Sequence, residues 1–428
     1  MERIEYTQLK EELFHEVLDN GLEVYILPKK DVNKTFATFT TRYGSIDNHF
    51  TPLGGKEPIK VPDGIAHFLE HKLFESEEGD VFQDFSKQGA SANAFTSFTR
   101  TAYLFSSTSN VEKNLETLID FVQDPYFTEE SVDKEKGIIG QEIKMYEDNP
   151  DWRVYFGTIE NLFAAHPVKI DIAGTAESIS SITKDLLYTC YNTFYHPGNM
   201  LLFVAGAVNP AEVMKLIRSN QGKKTFAPPE PISRYFDDEP EKADQRERII
   251  EMPVQTPKIL FGVKTKKTGR SGTDLLRHEL AIGLMLDYLF GKSSKNYEQL
   301  YNDGLIDDTF SFNYSEEGGF GFAVVGGDST EPEKLSKKIE GYFRDFREDP
   351  LTDEALERTK KKKIGSFLRS LNSPEFIANQ FTRYQFNGMN LFEVIPVLES
   401  LTAEDINQAA NDFIDENCFT TCIVKAPN

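Results

Sequence analysis

The sequence predicts an α+β fold of two related domains, each about 210 residues and each a mostly antiparallel sheet packed with helices. Three observations predict it. The chain repeats itself, a proline-rich charged segment lies near its middle, and its strand and helix patterns do not alternate strictly as βαβ units.

The repeat is found in three places. FQDFSKQGASANAFTSF from Phe82 matches YEQLYNDGLIDDTFSF from Tyr297, which sets Gly89 on Gly304 and Phe95 on Phe310 at an offset of 215. FTEESVDKEK from Phe127 matches LTDEALERTK from Leu351 at 224, and ITKDLLYTCYNTFY from Ile182 matches LTAEDINQAANDFI from Leu401 at 219. Each match alone is weak, but three in the same order with small drift imply two related halves. Between them, Phe226 to Arg248 carries four prolines, many charges and almost no aliphatic residues, so it reads as a linker. The expected organisation is an N-terminal domain over 1–225, a linker over 226–248 and a C-terminal repeat domain over 249–428.

The elements follow in order. DNGLEVYILPKK from Asp19 reads as a turn and a strand, and KTFATFTTRYGS from Lys34 alternates as another strand. DGIAHFLEHKLFES reads as a helix with Asp63 as its N-cap. SANAFTSFTRTAYLFSST is rich in Thr, Phe and Tyr and reads as one or two strands. The stretches from Asn110 and from Thr128 read as helices, and NMLLFVAGAV as a short apolar strand. The second half runs in parallel: PKILFGVKT strand, LLRHELAIGLMLDYLF helix, GGFGFAVVGG strand, EPEKLSKKIEGYFRDF helix.

Composition narrows the function. The 428 residues are 39% hydrophobic and 12% aromatic, a folding composition. No apolar run is long enough to span a membrane, and the first residues, MERIEYTQLKEELFHE, lack the apolar core of a signal peptide. A net charge of −22 repels phosphates, which argues against nucleic acid as partner. Three cysteines, Cys190, Cys418 and Cys422, are too few for a disulfide framework, so a reducing cytoplasm is expected.

One cluster has the residues and spacing of a catalytic metal site: His67-Phe68-Leu69-Glu70-His71. On a helix, positions i and i+4 share a face, so both imidazoles can reach one ion. Glu70 projects from the same side, placed to take a proton from the attacking water. Two imidazoles and a carboxylate suit Zn2+, one per chain. A plain polar helix face would also account for these residue types. Two features weigh against it. Two of the seven histidines sit four apart around a glutamate, and the repeat sets His67 and His71 on Ile282 and Leu286, in an apolar helix. A further ligand is needed. The helix from Thr128 offers Glu135 and Glu142, two turns apart on one face, and the repeat sets them on Thr359 and Ser366. Both acids are therefore special to the half that owns the histidines.

The motif H-x-x-E-H is the inverzincin pattern. GIAHFLEHKLF, then GASANAFTSFTRTAYLF, then EKGIIGQEIKMYEDNP together resemble the pitrilysin, insulysin and mitochondrial processing peptidase family, and most closely its YmfH-type bacterial insulinase-like members. The resemblance covers essentially the whole chain, duplication included. It implies zinc ligands at His67, His71 and Glu142, Glu70 as general base and Glu135 as an acid supporting the site. It implies that peptide substrate adds as a strand beside Asn93, Ala94 and Phe95. The implied activity is zinc-dependent endopeptidase cleavage of peptides and unfolded segments. Family enzymes also carry an Arg and a Tyr in the C-terminal half, in a stretch like R-x-x-x-G-L-x-Y. Here that stretch is QLYNDGLIDDTF: Asp307 holds the tyrosine position, and the arginine position near Leu300 or Tyr301 is also unfilled. The departure suggests the zinc-carrying chain of a two-chain enzyme, with a homologous partner supplying the Arg/Tyr pair, or a homodimer. The alternative is a non-proteolytic binding or assembly subunit, or a peptide-trapping protein, of the same fold.

Other signals are weaker. The basic run Arg358 to Lys363 reads as a solvated helix face. Gly54-Gly55 reads as a flexible loop and GGFGF as a strand edge or bulge. Cys418 and Cys422 lack a ligand quartet, and His166-Pro167 and His196-Pro197 read as turn or helix-end residues.

Overall fold

The structure is a computed structural model and describes residues 1–427. Two sheets carry it, as the α+β class requires. The first has seven strands, in the spatial order Glu2–Tyr6, Glu11–Val17, Glu23–Pro28, Met200–Gly206, Thr35–Thr41, Thr101–Ser107, Ala90–Thr96. The second has five: Glu247–Glu251, Phe419–Lys425, Lys258–Lys264, Phe320–Asp328, Ser311–Glu317. Among the described residues each sheet has one parallel pair, Glu23–Pro28 with Met200–Gly206 and Glu247–Glu251 with Phe419–Lys425; the other pairings are antiparallel. Five strands of the first sheet thus recur in the second in the same order and sense, with starting residues offset by 219 to 224. The repeat read from the sequence is a repeat of topology.

The chain divides into two compact units, each drawn from three segments. One comprises Met1–Ile143, Asp171–Phe236 and Ser370–Phe386; the other comprises Lys144–Ile170, Asp237–Arg369 and the chain from Asn387. These units differ from the contiguous halves expected above at two helices. Helix Pro150–Leu162, from the first half, packs on strands Lys258–Lys264 and Phe419–Lys425, where Val154 joins Cys422 and Val424 in an apolar cluster. Helix Pro374–Phe386, from the second half, packs on Thr35–Thr41 and Met200–Gly206, with Phe381 against Tyr25 and Phe203 at ring distances of 4.7 and 4.8 Å. The physical reason is burial: each helix hides its apolar face on the sheet that offers matching apolar strands, whichever half of the chain that sheet comes from.

Of the segment expected as a linker, 226–246 is irregular but fixed, while Glu247 and Arg248 open strand Glu247–Glu251. Arg234 bridges to Phe50 through the backbone and donates Nε to the buried Asp47 at 2.6 Å. Glu239 accepts the backbone N–H groups of Ala164, Ala165 and His166 at 3.0, 2.7 and 2.6 Å, and pairs with Lys264. Both His-Pro sites are starts of short 3-10 turns, where the His Nδ1 accepts from the backbone N–H two residues on. GGFGF differs from its reading: Gly318 and Gly319, both at positive φ, form the two-residue turn of the hairpin Ser311–Glu317/Phe320–Asp328. No helix is long and apolar enough to cross a membrane among the described residues.

Candidate metal centre

Helix Ile65–Leu73 sorts its residues by face. Ile65, Phe68, Leu69 and Leu73 recur at helical spacing and are buried, while His67, Glu70 and His71 share the remaining face. The helix start is not the one expected. Asp63 does not cap it; its carboxylate accepts from Asn48 at 2.9 Å. The cap is Gly64, at φ +86, with no side-chain cap bond. A Cβ on Gly64 would lie 2.3 Å from the carbonyl oxygen of Ala173, and one on Gly174 would lie 2.5 Å from that of Asp63. Two glycines thus let two backbone segments touch and fix where the histidine helix begins. Gly64→Ala is expected to cost roughly 2–3 kcal/mol in stability, from left-handed strain plus the clash. Thermal unfolding measures it, and a change below 0.5 kcal/mol would remove this role for the contact.

Helix Glu129–Glu147 supplies the acids. Val132, Ile139 and Ile143 are buried, and Glu135 and Glu142 flank that stripe. The side chains of His67, His71 and Glu142 converge, with three ligand atoms within 4.8 Å of one another. His67 Nε2 lies 3.7 Å and His71 Nε2 3.5 Å from the two oxygens of Glu142. Tetrahedral zinc with bonds of about 2.0–2.2 Å sets neighbouring ligand atoms about 3.3–3.6 Å apart, so donor types and spacing both fit. His71 Nδ1 lies 3.0 Å from Glu135 Oε1. An ionised carboxylate only accepts, so the proton sits on Nδ1 and the Nε2 lone pair faces the cluster.

The electrostatics set the two histidines apart. Burial, aided by the neighbouring His71, pushes His67 down to about 4 against the pull of Glu142 and Glu135, so its imidazole is neutral at pH 7, as a ligand must be. Burial also opposes the charging of His71, but the hydrogen bond to Glu135 and the nearby carboxylates outweigh it and raise its pKa. Burial resists the charge on Glu135 too, and the contact with His71 overcomes this to hold it below the usual carboxylate range. Glu70 is 8% exposed, and burial pushes it up to about 7 against the hydrogen bond from Thr96.

Among the described residues, Ala90–Thr96 is the edge strand of its sheet, paired only with Thr101–Ser107. Asn93 is exposed, and Ala94 and Phe95 are half-buried. The residue of this strand that reaches the cluster is Thr96, whose hydroxyl donates to Glu70 Oε2 at 2.6 Å. No sequence signal singled it out, since it lies among several threonines. In the second unit, Ile282 and Leu286 are fully buried in helix Gly272–Phe290, as an apolar counterpart requires. Asp307 is exposed and folds back to accept from the backbone N–H and the hydroxyl of Thr309 at 2.8 and 2.6 Å, an Asx turn.

A buried H-x-x-E-H helix facing a glutamate on a second helix, within a duplicated α+β chain, defines a class that comparison with known proteins names. The family model described as insulinase (peptidase family M16) matches residues 57–176, and that described as the peptidase M16 inactive domain matches residues 181–363. The chain belongs to the insulinase-like M16 family. It is 62% identical over 421 residues to the uncharacterised zinc protease YmfH of Bacillus subtilis, covering 98% of each chain. Its structure is similar to that of an M16-like peptidase from Alicyclobacillus acidocaldarius, with TM-score 0.94, 40% identity and coverage of 97% and 99% of the two chains. It shares the fold of the periplasmic protease PqqL of Escherichia coli at TM-score 0.72 and 15% identity, covering 99% of this chain but 48% of that one.

Proposed function

We propose that this chain is a zinc endopeptidase acting on peptides or unfolded segments in the cytoplasm, and that it is the zinc-carrying half of a two-chain enzyme. The observation that carries the reading is the convergence of His67, His71 and Glu142 beside the buried Glu70. His67, His71 and Glu142 would hold the ion, and Glu135 would orient His71. When bound, zinc supplies a Lewis acid that lowers the pKa of a coordinated water to about 7 and polarises a carbonyl. Glu70 takes the proton of the attacking water and returns it to the leaving amine. The free edge of Ala90–Thr96 offers unpaired backbone groups to which an extended peptide can add, with Asn93, Ala94 and Phe95 beside it. Three free, buried cysteines suit a reducing compartment.

The two-chain element rests on Asp307 and on length. Asp307 is tied into its own turn where family enzymes place a tyrosine. PqqL, a protease of the same fold, is about twice as long. A non-proteolytic binding subunit is the second reading, favoured by the same unfilled positions.

The test is mass-spectrometric digestion of an unstructured-peptide library by the zinc-loaded chain, with and without a homologous chain that carries the Arg and Tyr. Slow cleavage that quickens with the partner is expected. Full-speed cleavage by the chain alone would overturn the two-chain element, and zinc binding without cleavage in either mixture would favour the binding subunit. Glu135→Gln is expected to weaken zinc binding by about 10- to 100-fold in a chelator competition titration, because His71 loses its charged acceptor. Unchanged affinity would remove Glu135 from the site.

A further inference from the structure

Thr96 belongs to the strand that offers its edge to substrate, yet its hydroxyl holds the buried acid of the metal centre. The hydroxyl proton has two acceptors in range, Glu70 Oε2 at 2.6 Å and Thr101 Oγ1 at 3.4 Å, and the charged, nearer one wins. Thr101 is fully buried, and its own proton goes to the carbonyl of Tyr43 at 2.9 Å, so it does not compete for Glu70. Strand Ala90–Thr96 lies against helix Ile65–Leu73, and Thr96 is its last residue, paired with Thr101 across the ladder. Glu70 is therefore fastened at a second point, on the substrate strand as well as on its own helix.

We propose that Thr96 is the positioning residue for Glu70, coupling the edge strand that receives substrate to the group that moves the proton. The proposal rests on the peptidase reading above. Addition of a peptide to this edge stiffens the strand whose end carries Thr96, so that substrate binding and placement of the base act as one mechanical step.

The experiment compares Thr96→Val and Thr96→Ser with wild type, using peptide kinetics, zinc content and a crystal structure of the zinc-loaded Val variant. In Val the hydroxyl is gone and the shape is kept; in Ser the hydroxyl is kept and the methyl is gone. Thr96→Val is expected to lower kcat roughly 10- to 100-fold with KM within about twofold, because a charge-assisted hydrogen bond is lost. Zinc content should stay at the wild-type value, Thr96→Ser should recover most of kcat, and the Glu70 carboxylate should leave its wild-type position in the Val structure. Wild-type kcat in Thr96→Val, or equal defects in Ser and Val, would overturn the proposal. If wild type cleaves nothing with or without the homologous partner chain, the peptidase reading fails, and the Val structure alone decides the positioning claim: an unmoved Glu70 overturns it and a displaced one upholds it.

Discussion

Glu70→Gln is expected to reduce peptide hydrolysis by roughly 10³- to 10⁴-fold while zinc binds as in wild type. The substitution keeps size and shape and removes only the ability to take and return a proton. Glu70 is 8% exposed, so a bulkier or smaller residue would disturb packing and blur the result. Glutamine can still accept the Thr96 hydroxyl through its amide oxygen, so the hydrogen bond at 2.6 Å has a partner in the variant. None of the three converging ligand atoms belongs to Glu70, so metal content should hold. The loss should fall on kcat rather than KM, because proton transfer matters in the transition state and not in binding. Parallel measurement of kcat, KM and zinc per chain checks it. Cleavage within tenfold of wild type would remove Glu70 as the base. Cleavage lost together with zinc would mean that the variant had damaged the centre and not the proton transfer.

The candidate metal cluster is legible in the sequence because helical spacing is strict. His67, Glu70 and His71 share a face by arithmetic, and the repeat acts as an internal control by setting apolar Ile282 and Leu286 opposite the histidines. Glu135 and Glu142 stand out the same way, as a pair seven apart that the other half lacks, and in the structure they approach His71 and both histidines. The fold class is legible because strand and helix periodicities differ, and the recurrence of five strands in one order gives the repeat its form. What stays hidden depends on contacts distant in sequence. Thr96 is one threonine among several, and only the packing of strand on helix selects it. Gly64 caps the helix that Asp63 was expected to cap, because Ala173 comes within reach from 109 positions away. The exchange of helices Pro150–Leu162 and Pro374–Phe386 leaves no local mark, since an apolar helix face does not state which sheet it will cover.

The same limit explains Glu239, a charged residue in a segment that reads as linker. Glu239→Ala is expected to destabilise its unit by about 3–5 kcal/mol, because it strands a buried charge. Lys264 is 2% exposed, and its ammonium pairs with Glu239, donates to the carbonyls of Pro240 and Lys242 at 2.6 and 3.1 Å and lies 4.8 Å from the centre of the Phe163 ring. Alanine also orphans the three N–H groups of Ala164, Ala165 and His166, beyond the end of helix Pro150–Leu162. The single tryptophan, Trp152, lies on that helix and in the same unit, so the midpoint of its fluorescence change in urea reports the effect. Burial opposes the charge on Glu239, but Lys264 and the three backbone donors prevail and hold its pKa below the ordinary 4.5. A carboxylate depressed in the folded state contributes stability above its unfolded pKa and loses it as pH falls through the folded value. The gap between wild type and Glu239→Ala should therefore be widest near neutral pH and should close below pH 4.5. Adding Lys264→Met to Glu239→Ala should recover part of the loss, since an apolar side chain of similar length needs no partner. A gap that ignores pH, together with a double variant no more stable than the single one, would mean that Glu239 acts through packing and not through its charge.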